Sequence, residues 1–299
     1  MKSKLLIREI KQKYKKYLNL LEKKIRSVFK EKVLVPEFIT KGKRLRALAY
    51  IIPLKVHSLL NELTLNIAIS IELLHASSLV HDDIIDDDEF RRENITLNKF
   101  YGNAIAVLSG DYLFIKSLEF VRSVGNFLIL DEFISTSKKM IKGEFLEEFL
   151  PIKEKLNENV YLDIIYNKTG SLFEYALSCS EILISGKTDK LKLAGKFLGI
   201  AYQIIDDCED LTIDLKKGKI TLPVIYAHSF QNDILERLTD ENYIKEILKQ
   251  SKAIKKSMEV ALNYLSSFEN TLDREIRIEF ESYLNYLKLR ALECNNKFS

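Results

Sequence analysis

Asp82 and Asp86 stand four residues apart in His81-Asp82-Asp83-Ile84-Ile85-Asp86, at the end of an apolar run from Leu63 to Val80. In a helix, residues four apart share a face, with Cβ atoms roughly 5–6 Å apart. These two carboxylates therefore point one way and Asp83 another. Like charges at that spacing repel by about a few tenths of a kcal/mol, and a divalent cation between them reverses the sign. A second pair, Asp206 and Asp210 in Asp206-Asp207-Cys208-Glu209-Asp210, closes another apolar run, Phe197 to Ile205. Two such pairs predict one metal site built from two facing helices. Oxygen-only donors favour a hard ion such as magnesium, Mg2+, which takes one or two carboxylates plus substrate phosphates.

Other residues point to anions. Lys41-Gly42-Lys43-Arg44-Leu45-Arg46 follows Pro36 and leads into a helix. A glycine there lets a phosphate approach the backbone, and a helix N-terminus supplies amide donors. Lys43 and Arg46 can converge on one anion. Arg91 and Arg92 follow the first acidic string, and guanidinium binds phosphate two-pronged; plain neutralisation of the acids is the simpler reading. Lys168-Thr169-Gly170 puts a lysine near a helix start, the wrong sign for the dipole, so it is either exposed or paired with an anion. Gln203 lies one turn before Asp206. Asp214 to Pro223 is a basic turn carrying Lys216, Lys217 and Lys219. His75, two turns before Asp82, is more simply a core histidine, and His81 a supporting one. Glu144 and Glu147 face either the site or, with Glu148, the solvent.

The elements that must position these groups read as helix after helix. The chain has 299 residues, 46% hydrophobic, with only 10 glycines and 4 prolines, too few turn residues for a β protein of this size. The fold class predicted is all-α, in one domain. Helices are predicted over 3–33, 43–59, 62–86, 95–101, 104–123, 127–149, 155–167, 170–184, 188–210, 221–229, 241–267 and 271–294. Cys179, Cys208 and Cys294 form neither a disulfide framework nor a metal spacing, which fits a reducing compartment. With no apolar run of about 18 residues and no signal-peptide pattern, the reading is cytoplasmic. Net charge is +3, but residues 1–32 carry +9 and the rest −6. That basic segment has an amphipathic stripe (Ile7, Ile10, Tyr14, Tyr17, Leu21, Ile25, Val28) that fits a docked surface helix better than a membrane-surface one. Nothing resembles a nucleic-acid-binding motif, so no nucleic-acid partner is predicted.

In order and spacing, GKRLR, HDDIID with its arginine pair, GEFLE, KTGSLFE, YQIIDDCED and KGKITLP resemble the trans-isoprenyl diphosphate synthase (polyprenyl synthetase) family over about residues 40–227. The C-terminal helices fit by length only. The resemblance implies an antiparallel helical bundle around a deep cavity, with residues 1–299 as one polyprenyl synthetase domain and 1–33 its basic N-terminal helix. It implies a homodimer and head-to-tail condensation of an allylic diphosphate with isopentenyl diphosphate. By that analogy Asp82, Asp86 and Asp206, with Asp210 close by, hold magnesium on the allylic diphosphate; Arg91, Lys168, Thr169, Gln203 and Lys219 assist. Gly42, Lys43, Arg46, His75 and Arg92 hold isopentenyl diphosphate. A weak membrane-surface contact for product release is also envisaged.

The implied chemistry is coherent. Ionising the allylic C–O bond leaves a diphosphate whose charge metal and cationic side chains stabilise. The partner double bond must be aligned with the cation, and apolar helix faces exclude water. Ser77 and Ser78, five and four residues before Asp82, are small where bulky aromatics stop the chain early. A product of C20 or longer is therefore predicted over a short-chain one. The chain departs from the family pattern at Ala47, Glu93 and Glu147, and its loop after Asp210 lacks the second Gly-Lys. Three other readings compete. A class I terpene cyclase would carry Asn, Ser/Thr and Glu in its second motif, where this chain has DDCED. A regulatory subunit typically loses an Asp-rich motif, and both are intact here. A peptide-modifying prenyltransferase would not need the basic motif.

Overall fold

The computed structural model describes residues 2–28, 42–91, 94–237 and 240–298. These form sixteen α-helices, a π-turn, a 3₁₀ turn and a two-residue antiparallel ribbon pairing Phe90–Arg91 with Asn94–Ile95. The all-α prediction holds. No described helix is long and apolar enough to cross a membrane. Tertiary contacts divide the chain into two compact units, residues 8–134 with 176–188, and residues 1–7 with 135–175 and 189–299.

In the first unit the central element is α4 (Leu65–Ile85). It is apolar on nearly every side and buried from Leu65 to Leu74, as a helix without a polar face must be, save for the half-buried Asn66. It packs most extensively on α6 (Asn103–Ser123). Small side chains let the two backbones close: Ser70 and Ser117 share a hydrogen bond at 2.9 Å, and Ser77 donates to the Gly110 carbonyl at 2.9 Å. Two further helices, α2 (Lys15–Val28) and α3 (Leu45–Val56), also rest on α4. On α2 the residues buried are Leu18, Leu21, Ile25 and Val28, so the basic N-terminal segment is a docked helix there. Its predicted span of 3–33 divides at Tyr14 into α1 (Lys2–Lys13) and α2. Backbone bonds from Tyr14 to Ile10 and from Leu18 to Tyr14 carry the helix through the join. Residues 29–33 of that prediction lie outside the described residues.

In the second unit α11 (Lys190–Glu209) is the spine, packed on α15 (Ala253–Thr271) and on the π-turn Tyr166–Gly170. The break predicted between 167 and 170 is that π-turn. It joins α9 (Glu158–Ile165) directly to α10 (Ser171–Ser185). Asn167 caps the loosened turn by donating to the Asp163 carbonyl at 2.7 Å. The helix predicted over 241–267 divides at Lys252, which sits at φ 55° between α14 (Glu241–Ser251) and α15. No glycine announces that left-handed residue. The basic turn after Asp210 contains a short helix, α12 (Leu211–Lys216).

Gly199 is where α11 comes closest to the π-turn: a Cβ added there would lie 2.5 Å from the Gly170 Cα. Backbone cannot yield as a side chain can. Gly199→Ala is therefore expected to lower unfolding free energy by about 1–3 kcal/mol, read from a urea titration of the purified protein.

Candidate active site

Asp82 lies in the last turn of α4 and Asp86 is its C-terminal cap, both half-buried. Asp83 between them is 1% exposed. Burial pushes its carboxyl up to about 6, against the pull of Arg91. Arg91 Nε donates to Asp83 Oδ1, and its Nη2 stands 3.6 Å from Asp88. So Arg91, predicted on diphosphate, is engaged with two aspartates. The Asp83 carbonyl accepts from the Asp88 backbone amide at 2.9 Å and from Asn98 Nδ2 at 3.0 Å, which folds the chain back after the helix. His81 lies against Gly110, where a Cβ would meet its ring at 2.2 Å, and its Nε2 is 3.5 Å from Asp111.

The basic motif is partly engaged within the protein. The N-terminus of α3 is met by a carboxylate of the protein itself: Glu72 accepts from the Ala47 amide at 3.3 Å and from Arg44 Nη1 at 2.8 Å. Arg44 holds φ 59° and is buried. Arg46 points elsewhere and its Nη1 donates to His75 Nε2 at 3.1 Å. Two residues predicted for one anion are thus brought together. Lys43 is exposed, and the Gly42 carbonyl accepts from Lys11. Arg92 and Glu93 lie outside the described residues. Ser77 is used in contact with α6, and Ser78 donates to the His75 carbonyl of its own helix at 2.9 Å.

In the second unit the π-turn presents Lys168 and Thr169. A Cβ on Gly143 would lie 2.4 Å from the Lys168 amide nitrogen, so α7 (Phe127–Phe149) runs against the turn. That approach lets Lys168 Nζ pair with Glu144 at 2.7 Å and with Glu147. Glu144 and Glu147 therefore face Lys168. With Glu148 they form the one group of three acidic ligands among the described residues close enough to share a metal, all within 4.8 Å. Sequence reasoning did not assign a metal to them. The predicted aspartate ligands form no such ready-made group; Mg2+, which binds through one or two carboxylates and keeps waters or phosphates, does not require one.

Thr169 Oγ1 donates to Gln203 Oε1 at 2.7 Å, and Gln203 Nε2 donates to Asp207 Oδ1 at 2.6 Å. Tyr161 donates to the other Asp207 oxygen at 2.6 Å. The chain Thr169–Gln203–Asp207–Tyr161 fixes which way the Gln203 amide faces. Burial pushes the Asp207 carboxyl up to about 8. One residue back, Asp206 is partly exposed. Its Oδ1 accepts from Arg290 of α16 (Arg274–Phe298), and its Oδ2 has no partner among the described residues. An oxygen so placed fits a hard cation. Asp210 caps α11 and is exposed. Lys219 approaches Asp214 through its backbone amide at 2.9 Å, and its charge opposes the burial that pushes Asp214 up to about 6. Arg290 was missed in the sequence, where it is one basic residue in a helix recognisable only by length.

The polyprenyl synthetase family profile matches residues 31–265, and the chain belongs to that family. Octaprenyl diphosphate synthase of Escherichia coli (strain K12) is 32% identical over 200 residues, which span 62% of either chain. A prenyl transferase of Synechocystis sp. is 29% identical over 275 residues, 81% of this chain and 85% of the relative. The fold matches the crystal structure of a decaprenyl diphosphate synthase from Rhodobacter capsulatus with a TM-score of 0.81 at 23% identity, covering 95% of this chain and 99% of that one.

Because Asp207 holds its proton more tightly folded than unfolded, the sign of its pH effect follows. The unfolded chain releases that proton above its ordinary 3.8 and the folded protein only near 8, so this residue subtracts stability as pH rises across that window. Asp207→Asn, which cannot ionise and keeps one oxygen to accept from Tyr161 or Gln203, is expected to flatten the fall in Tm between pH 5 and pH 8. A fall as steep as in the parent would show that Asp207 ionises normally.

Proposed function

We propose that the protein is a prenyltransferase, a trans-polyprenyl diphosphate synthase that extends an allylic diphosphate with isopentenyl diphosphate to products of C20 or longer. The observation that carries this is that α4 and α11, in a chain of this family, each end in aspartates four residues apart with a buried aspartate behind them. Relatives named octaprenyl, decaprenyl and nonaprenyl diphosphate synthases support the longer product.

In this reading Asp82, Asp86, Asp206 and Asp210 hold magnesium. When bound, the metal supplies Lewis-acid charge to the departing diphosphate. Lys168 and Arg91 trade a carboxylate partner for a phosphate oxygen. Gln203, its amide fixed by Asp207, and Thr169 orient that phosphate; Lys219 adds charge. Arg46 and His75, with Gly42, Lys43 and Arg92, hold the second diphosphate. Ser77 and Ser78 keep α4 slim ahead of Asp82.

A homodimer is part of the proposal. On α6 and the start of α7, Ile105, Leu108, Ile115, Phe127 and Leu128 are exposed, Phe127 by 82%. Exposed apolar side chains gathered on two successive helices support a protein contact there. Leu108→Asp is expected to halve the mass seen by analytical ultracentrifugation; an unchanged dimer would place the interface elsewhere.

The activity is tested with Mg2+, radiolabelled isopentenyl diphosphate and C10, C15 or C20 primers, with products sized by chain length. Products of C20 and above are expected, and Asp82→Ala is expected to cost about 10²–10³ in rate. A product that stops at C15 would overturn the length assignment, and no incorporation with any primer would overturn the activity.

A further inference from the structure

Arg290 is 3% exposed and has two acidic partners. Its Nη2 donates to Asp206 Oδ1 and, at 2.6 Å, to Glu209 Oε2, while Nε donates to Glu209 Oε1 at 2.9 Å. Tyr202 and Tyr286 flank the guanidinium, their ring centres 5.3 and 5.7 Å away. The remaining nitrogen, Nη1, is buried without a partner among the described residues. A side chain held this way cannot swing aside cheaply, because leaving would strand two carboxylates and a buried cation.

We infer that Arg290 is a positioning residue that fixes the Asp206 carboxylate and competes with a divalent cation for it. The inference rests on the reading of Asp206 as a metal ligand. Arg290 occupies one oxygen of Asp206, and among the described residues no donor meets the other, Oδ2. The grip presents Oδ2 in one orientation. It also places a fixed positive charge beside any metal that binds there, and like charges so close repel strongly away from bulk water. Glu209 sets the balance, since it shares the guanidinium and so limits how fully Asp206 is neutralised. The cation on Asp206 is thus weakly held by the protein alone, and an anionic ligand that adds negative charge strengthens it.

Direct metal binding tests this without catalysis. Mn2+ is titrated into the full-length protein in the absence of any diphosphate, and the free ion is followed by electron paramagnetic resonance. Arg290→Met is expected to tighten Mn2+ binding about tenfold, Asp206→Asn to weaken it, and the double variant to bind as Asp206→Asn does. Arg290→Met binding no tighter than the parent, while Asp206→Asn binds more weakly, overturns the role of Arg290 alone. Parent and Asp206→Asn binding alike overturns the assignment of Asp206 itself. Should Arg290→Met fail to fold, Glu209→Gln gives the test with opposite sign. The guanidinium then falls wholly to Asp206 and Mn2+ affinity drops about fivefold; unchanged affinity overturns the proposal.

Discussion

A carboxylate taken out of water must be given donors or a cation, and both aspartate clusters are built around that requirement. In each, the aspartate after the first is buried, Asp83 in one and Asp207 in the other, while the neighbours four apart stay nearer solvent. Asp83 is compensated by Arg91, and Asp207 by Tyr161 and Gln203. The buried member anchors the helix end; the others stay nearer solvent, where the proposed metal would meet them. Burial raises both buried carboxyls above the ordinary aspartate range, Asp207 further because the Asp214 charge adds to its burial, whereas Arg91 opposes the burial of Asp83. The same residue type at adjacent positions thus serves opposite purposes, and helical phase decides which.

That phase is legible in the sequence. Period 3.6 separates Asp82 and Asp86 from Asp83, and the apolar runs before both clusters give α4 and α11 to within a few residues. Helix identity over most of the chain follows from the scarcity of glycine and proline. Less visible are the places where tertiary contact overrides local preference. The π-turn at Tyr166–Gly170 looks like a helix break, because a glycine ends the string and nothing local shows that Asn167 will satisfy the loosened carbonyl. Lys252 divides a predicted helix without the glycine that usually signals it. Glu72 sits in an apolar run as an anomaly, and only the structure shows it closing the N-terminus of α3. Arg290 lies 84 residues from Asp206, beyond any periodicity argument.

Close backbone approach explains why these long-range bonds can form. Gly143 lets α7 reach the Lys168 amide, and Gly199 lets α11 reach Gly170. At those separations a glutamate on α7 spans to Lys168, and Gln203 spans to Thr169. A bulkier residue at either glycine would move the donor or acceptor by more than hydrogen-bond tolerance allows. The polar network is therefore a consequence of packing, and its geometry is as rigid as the helix contacts beneath it.

Most of the cations in these clusters have carboxylate partners. Lys168 is held by Glu144 and Glu147, Arg91 by Asp83 and Asp88, and Arg290 by Asp206 and Glu209. Pairing keeps each cation ordered, so less side-chain entropy is lost when an anion arrives. It also means that a phosphate oxygen which takes Lys168 leaves two glutamates in need of positive charge. On the proposed reading a divalent ion would meet that need, so at Lys168 anion and metal would favour one another: either alone would leave a charge uncompensated.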